Sequence, residues 1–300
     1  MTTSDRPPVC DYEGSDYQET FWDQGDRDYE DQTEAIALKR LLPPGGRLLL
    51  EIGAGAGRNT LRYKGFEHIV LLDYSRTQLQ QARARLGDSQ RYLYVAADVY
   101  RLPFVSGLFD AATMIRTLHH MADAPLALEQ IRKTLEPGAI FILEYANKQN
   151  LKAILRYALR RQTWSPFSPE PVEFVRLNFD FHPKTVRAWL QGNGFVLERQ
   201  LTVSHFRLGL FKRLLPVKAL VEMDSWAQLT GDWWQLTPSV FAQARAVGET
   251  PRAPQDTFFC CPTCGHFPLE EGIQAMICPQ CQRQWAFRDG IYDFREPLDT

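Results

Sequence analysis

Between residues 33 and 145 the hydrophobic positions fall into two alternating kinds of segment. Short apolar runs at 48–52 (LLLEI), 69–73 (IVLLD), 92–96 (YLYVA), 109–115 (FDAATMI) and 138–145 (GAIFILEY) each end in a polar or glycine-containing turn. Runs of this kind predict strands buried on both faces. Between them, apolar residues follow a helical period: Ala35, Ile36, Leu38 and Leu42 in 33–42, and Leu126, Leu128, Ile131 and Leu135 in 124–136, where Pro137-Gly138 marks the stop. Shorter helices are expected at 58–65 and at 76–86, the second capped by Ser75. Strands alternating with helices predict an α/β fold around a mainly parallel sheet. The alternation lapses over 149–181, where a basic amphipathic helix at 151–161 gives way to a stretch rich in Pro and Trp. It resumes as a helix at 183–194, a strand at 195–203 and a closing strand at 237–245. The basic, apolar stretch 206–221 could lie on a membrane surface or on phosphates, but reads first as a core-facing helix with a solvated basic face.

The first strand runs into Glu51-Ile-Gly-Ala-Gly-Ala-Gly57. Glycines there let the backbone turn sharply and come close to a ligand, and a strand entering such a turn begins a nucleotide-binding α/β unit. The dinucleotide fingerprint G-x-G-x-x-G would need glycine at 58, which is Arg58. The run instead resembles the first motif, E/D-x-G-x-G-x-G, of class I methyltransferases that use S-adenosylmethionine. That resemblance implies that Glu51, Gly53, Ala54, Gly55 and Gly57 pass under the methionine part of the cofactor. Asp73 ends the second strand about twenty residues beyond Gly53, the offset at which a carboxylate meets ribose hydroxyls, and an ionised carboxylate accepts from both. Asp73-Tyr74-Ser75 also resembles the family's D-x-S. At Asp98-Val99 the resemblance implies an acid for the adenine amino group and an apolar neighbour for its ring; Arg101-Leu-Pro-Phe104 continues the pattern. Arg116-Thr-Leu-His-His120 follows the fourth strand, where open α/β sheets bind substrates. Thr117 and Leu118 are expected to line the methyl-donor side. His119, His120 and Glu144 are the candidate bases, needed only for a protonated acceptor. Arg27 is a candidate for the cofactor carboxylate.

Composition then narrows the partners. A formal net charge of −2 over 300 residues gives no global attraction for nucleic acid or an anionic membrane. The beginning of the chain has no apolar leader, and no run approaches the ~20 apolar residues of a membrane span, so a cytoplasmic protein is expected. Five of the six cysteines lie within 260–281. Cys261-x-x-Cys264 and Cys278-x-x-Cys281 have the spacing of a four-thiolate structural zinc site. The stretch through 288–294 resembles the zinc-ribbon activator subunits of RNA and release-factor methyltransferases, here attached to the enzyme itself.

The expected architecture is therefore a Rossmann-like, seven-stranded class I methyltransferase sheet with one antiparallel edge strand and a small C-terminal zinc ribbon. Residues 1–30 would form an aromatic lid (Tyr12, Tyr17, Phe21, Trp22, Tyr29). Residues 31–247 would form the methyltransferase domain, with 146–181 shaping the acceptor pocket, 248–256 a linker and 257–297 the ribbon. The favoured function is methyl transfer from S-adenosylmethionine to a small-molecule or lipid acceptor in a closed cleft under Tyr17, Trp22 and Phe167. An RNA methyltransferase using the ribbon and both basic stretches is the second reading. A non-catalytic cofactor-binding module whose ribbon recruits a protein partner is the third.

Overall fold

Strand residues that are apolar on both faces need a layer of helices on each side. The computed structural model of the chain, which describes residues 6–14, 27–207 and 209–298, shows that arrangement. The strands are β1 (Gly46–Ile52), β2 (Phe66–Asp73), β3 (Tyr92–Ala96), β4 (Phe109–Met114), β5 (Leu135–Ala146), a separate hairpin of β6 (Val172–Val175) and β7 (Asn178–Asp180), then β8 (Phe195–Val203) and β9 (Ser239–Ala246). The C-terminal region adds β10 (Glu270–Glu271), β11 (Ala275–Ile277), β12 (Gln284–Arg288) and β13 (Ile291–Leu298). The helices are α1 (Asp28–Leu41), α2 (Arg76–Leu86), α3 (Ala124–Thr134), α4 (Leu151–Ala158), α5 (Pro183–Gly192), α6 (Gly209–Leu214) and α7 (Val217–Ala227).

The sheet order is β10-β11-β12-β13-β3-β2-β1-β4-β5-β9-β8. Strands β3, β2, β1, β4 and β5 are mutually parallel, and β9 runs antiparallel to both β5 and β8. On one face Leu48, Leu50 and Ile52 pack with Leu128, Ile131, Val186 and Leu190 of α3 and α5. On the other, Leu49, Leu71 and Ile142 pack with Leu38 and Leu41 of α1 and Leu79 of α2. The order in which the strands are laid down reverses between β1 and β4, so a crevice opens at their carboxyl ends.

Four expectations are corrected. The sheet has eleven strands, not seven, because the C-terminal region joins it instead of standing apart. The antiparallel strand β9 is interior, between β5 and β8, not at an edge. The helix expected at 58–65 is only a 3-10 turn at Thr60–Arg62: the short link from Gly57 to β2 must also bring Gly65 against Pro44, where a Cβ on Gly65 would lie 1.9 Å from the Pro44 carbonyl oxygen. The 206–221 helix is broken by Pro216 into α6 and α7, since proline cannot donate within a helix.

The C-terminal region extends the sheet by pairing β13 parallel to β3, Ile291 opposite Tyr94 and Asp293 opposite Ala96. An apolar layer supports that seam. Phe259 stacks on Phe104 at 5.9 Å, and Phe294 and Trp285 are fully buried in the same core as Leu50 and Phe109. Polar ties reinforce it, with Arg295 donating to Asp293 and Glu13 and lying 5.8 Å over the Tyr74 ring. Residues 6–14 run alongside, Glu13 accepting from the Arg76 amide at 2.9 Å. Of the expected lid aromatics, Tyr17, Phe21 and Trp22 lie outside the described residues. Tyr29 is a core residue of α1, its hydroxyl donating to buried Asp224 at 2.6 Å.

Candidate active site

The carboxyl ends of β1, β2 and β4 are in step, with Ile52 opposite Leu72 and Met114. The amides of Gly53 and Ala54 donate to the Leu72 carbonyl at 2.8 and 3.0 Å, which folds the glycine turn back over β2. Gly53 has φ +67, and a Cβ there would lie 2.1 Å from Thr117 Oγ1. Gly55 has φ +52 but faces open space, its nearest neighbour being Gln78 Oε1 at 3.8 Å. The first glycine is thus required by packing and the second leaves room for a ligand.

This turn separates two cavities that share Ile52, Gly53 and Arg116. Glu51, Ala54, Gly55, Arg58 and Tyr63 line the first, and Val9, Tyr12, Asp73, Tyr74, Val99, Thr117 and His120 line the second. Asp73 accepts from Gly55 N at 2.8 Å and from Ser75 N at 2.9 Å. Burial nevertheless pushes its pKa up to about 6. Glu51 is pushed up to about 7, again by burial, and accepts from Thr60 Oγ1 at 2.6 Å. Asp98 caps the 3-10 turn Val99–Arg101 by accepting from Tyr100 N at 2.9 Å, and burial raises its pKa. Gly57 turns away from the cavities, against Leu86 and Ala82 of α2.

Arg116, for which no role was expected, stands at the junction. Its φ of 56° is uncommon for a residue with a side chain, and such strain of about 1–3 kcal/mol persists only where surroundings enforce it. Here Glu144 and Glu34 enforce it. Glu144 accepts from the Arg116 amide at 2.9 Å, and Glu34 accepts from its guanidinium at 2.6 Å. Glu34 also accepts from Arg58 at 2.8 Å. Burial alone would raise the Glu34 pKa, but Arg116 and Arg58 outweigh it and hold it below the usual range. Glu144 is buried, with its second oxygen accepting from Ser239 at 2.6 Å and its pKa raised by burial. It lies behind Arg116, bound on both oxygens, and so fits a positioning role better than that of a base. The signals available in the sequence were the lone cation in RTLHH and arginine where a dinucleotide loop has glycine.

The 3-10 turn Leu118–His120 sorts its side chains between core and cavity. Leu118 is fully buried in the core and does not reach the cavity wall where it was expected. His119 packs at 4.0 Å from the His120 ring, and burial, with help from His120, holds its pKa well below the ordinary value. His120 is the one that lines the cavity. Its Nδ1 is 3.1 Å from the Leu177 carbonyl in the β6–β7 turn, and its Nε2 is 3.1 Å from the Tyr12 hydroxyl. A carbonyl only accepts, so Nδ1 carries the proton, Nε2 offers its lone pair and Tyr12 donates. Burial lowers the His120 pKa, which keeps the ring neutral near pH 7. Arg27 is drawn elsewhere, 3.5 Å from Glu30, a carboxylate that Lys212 and Arg207 also approach. Phe167 faces outward against Tyr157 and roofs nothing among the described residues.

In the C-terminal region the sulfurs of Cys261, Cys264, Cys278 and Cys281 all lie within 4.8 Å of one another. The Cys261–Cys281 and Cys264–Cys278 separations are 3.6 and 3.5 Å. A tetrahedral zinc with bonds of ~2.3 Å sets sulfurs roughly 3.8 Å apart, so the donor set fits that ion.

Residues 50–143, which include the glycine turn, Asp73, Asp98 and the Arg116–His120 turn, match the family model described as a methyltransferase domain. A demethylmenaquinone methyltransferase of Clavibacter sepedonicus is 28% identical over 159 residues, covering 52% of this chain and 56% of that protein. The O-methyltransferase cnsE of Penicillium expansum is 31% identical over 137 residues, covering 44% and 48%. The chain thus spans about half the length of these relatives. Among solved structures, one chain of the complex between the Haloferax volcanii Trm112 methyltransferase activator and a methyltransferase superposes with a TM-score of 0.56 at 17% identity, covering 77% of this chain and 96% of that one. An S-adenosylmethionine-dependent methyltransferase from Mesorhizobium loti gives 0.53 at 20% identity, covering 72% and 99%. At these identities the structural likeness speaks for the fold alone. Taken with the family match over residues 50–143, it means that this chain carries a methyltransferase domain with the class I fold.

Proposed function

We propose that the protein transfers the methyl group of S-adenosylmethionine to a small-molecule or lipid acceptor. The observation that carries this reading is the pair of cavities meeting at Gly53 and Arg116, with Asp73 on one wall and His120 on another. Asp73 would accept from the ribose hydroxyls, Asp98 and Val99 would take the adenine, and the open space before Gly55 would take the methionine part. The cofactor, when bound, supplies an electrophilic methyl group on a sulfonium. Such a transfer needs mainly alignment, and the protein supplies it through the Glu144–Arg116–Glu34 brace. Where the acceptor is a hydroxyl, neutral His120 would take its proton at Nε2, directly or through Tyr12. Relatives named for demethylmenaquinone and for 2-phytyl-1,4-naphtoquinone favour an acceptor of the quinone class.

The RNA reading needs the two basic stretches to form one face. Instead Lys212 donates to buried Glu30 at 2.9 Å and Arg207 lies 3.6 Å from the same residue, so two cations of the second stretch are already paired with an acid of α1. The four cysteines would hold one structural zinc, whose role within the chain is to brace β13 on β3. Calorimetry with S-adenosylhomocysteine should show binding. Label transfer from S-adenosylmethionine should mark a quinol analogue and leave RNA unmarked. Binding of NAD in place of adenosylhomocysteine would overturn the cofactor, and labelled RNA with an unlabelled quinol would overturn the acceptor.

A further inference from the structure

Outside the site, the surface around α4 is the part of the described structure whose chemistry the proposed reaction does not use. Helix α4 begins directly beyond β5, at the carboxyl side of the sheet where the cavities open. It turns only Ala153 fully into the protein. Leu151, Leu155 and Leu159 recur every fourth residue along its outer side, 52%, 53% and 62% exposed. Lys152 and Arg156, at the same spacing, form a parallel row beside them, and Arg160 and Arg161 follow just past the end of the helix. No acidic residue occurs between Asn147 and Pro169. An ordinary solvated helix hides its apolar stripe and exposes its polar one; this one presents both.

The patch extends beyond the helix. The Leu151 amide donates to the Leu236 carbonyl at 2.8 Å, and Asn147 Nδ2 donates to the Gln235 carbonyl at 2.9 Å. These bonds set the loop carrying Trp233 and Trp234 beside the start of α4, and those indoles are 77% and 58% exposed. The segment after the helix joins it to the β6–β7 hairpin, Tyr157 packing on Phe167 and Trp164 on Phe174; Phe174 and Val175 of that hairpin face outward, and its Leu177 carbonyl is on His120. Exposed tryptophans, leucines and the cations of the α4 segment, with exposed acids on the flanking loop and hairpin at Asp232 and Glu173, match the interface of an anionic bilayer: indoles sit at headgroup depth, leucines enter the acyl boundary and Lys/Arg meet lipid phosphates.

We propose that the α4 face docks the protein on an anionic membrane surface, with the β6–β7 hairpin and the His120 cavity turned toward the lipid. This goes beyond the proposed methyl transfer and does not depend on it. The charge is local, which fits a chain whose net charge is only −2.

The test is flotation of the full-length protein with vesicles of phosphatidylcholine alone or with phosphatidylglycerol, read together with tryptophan fluorescence. Binding should require phosphatidylglycerol, weaken with salt and shift the emission to the blue. Leu155→Asp/Leu159→Asp and Arg156→Glu/Arg160→Glu should each reduce binding at least tenfold. Both variants should keep the wild-type melting temperature and circular dichroism spectrum, which shows that they are folded. No binding to either vesicle, or equal binding by the folded variants, would overturn the proposal. So would a wild-type dimer in solution that Leu155→Asp/Leu159→Asp converts to monomer without a change in vesicle binding, since a second copy would then own the face.

Discussion

The two flanks of the site deal with hydrophobic surface in opposite ways. On the β3 flank the chain covers its own sheet edge: β13 pairs with β3, and Phe259, Trp285 and Phe294 fill the space beneath. On the β5 flank the insertion that begins with α4 leaves leucines and tryptophans facing solvent. An open strand edge and an open apolar face are both liabilities. Under the proposed methyl transfer, the difference divides the reaction between the flanks. The cofactor half needs a rigid wall, and Arg295 connects that wall to Tyr74, the neighbour of Asp73. The acceptor half has a cavity wall, His120, held by a hairpin turn that belongs to the uncovered side.

The largest expected effect comes from opening the covered flank. Purified protein should carry one zinc per chain by elemental analysis. Chelation, or Cys278→Ser, should lower the melting temperature by ~10 °C or more, because zinc binding at such a site is folding energy. The loss should extend past the ribbon: with β13 released, adenosylhomocysteine affinity should fall as well. A ribbon that melts alone, with cofactor affinity intact, would show that the two regions are merely adjacent.

Next in size is a contrast inside the glycine turn. Gly53→Ala places a Cβ against Thr117 at a positive φ, so it should cost about 2–4 kcal/mol of stability through strain and overpacking. Gly55→Ala has space for its Cβ and should cost only about 1 kcal/mol. It fills space where the cofactor is proposed to sit, however, and should weaken adenosylhomocysteine binding at least tenfold. Thermal melts and calorimetry on the same two variants separate the effects. Equal losses of stability would mean that the turn is not held by Thr117.

What was legible in the sequence was local. Gly53, Gly55 and Asp73 sit at fixed offsets from strand ends, and strand ends are marked by where apolar runs stop. The two CxxC pairs were legible for the same reason. What was not legible was which distant surfaces meet. Nothing in IYDFREPL names β3 as its neighbour, since alternation reports that a strand has a buried face and not which edge it joins. Arg116 was passed over because its meaning depends on Glu34, which lies 82 residues away in sequence. Leu118 was misplaced because a 3-10 turn rotates successive side chains in a way that neither strand nor helix periodicity describes. The region 149–181 resisted reading because many of its apolar residues, Leu151, Leu155, Leu159 and Phe174 among them, face solvent, so their pattern does not report a core.

The smallest effect concerns protons, and it distinguishes the flanks most finely. Burial raises Asp73 from its ordinary 3.8 to about 6, whereas burial lowers His119 and His120 from their ordinary 6.5. The directions set the windows. In the free protein, ionising the desolvated Asp73 costs stability as pH rises from 3.8 to about 6. Ribose hydroxyls donate to the ionised form, so binding favours it and releases a proton in that window. Adenosylhomocysteine affinity should therefore be flat above about pH 6.5 and fall by up to about tenfold per unit below pH 6. The histidines stay neutral through the flat region and contribute nothing there. Calorimetry from pH 5 to 8 checks this. Asp73→Asn should bind about 1–3 kcal/mol more weakly at pH 7 and lose the acid-side decline. His120→Ala should keep the decline in place. A profile that flattens with His120→Ala and persists with Asp73→Asn would transfer the titration to the acceptor flank and reverse the assignment of the two walls.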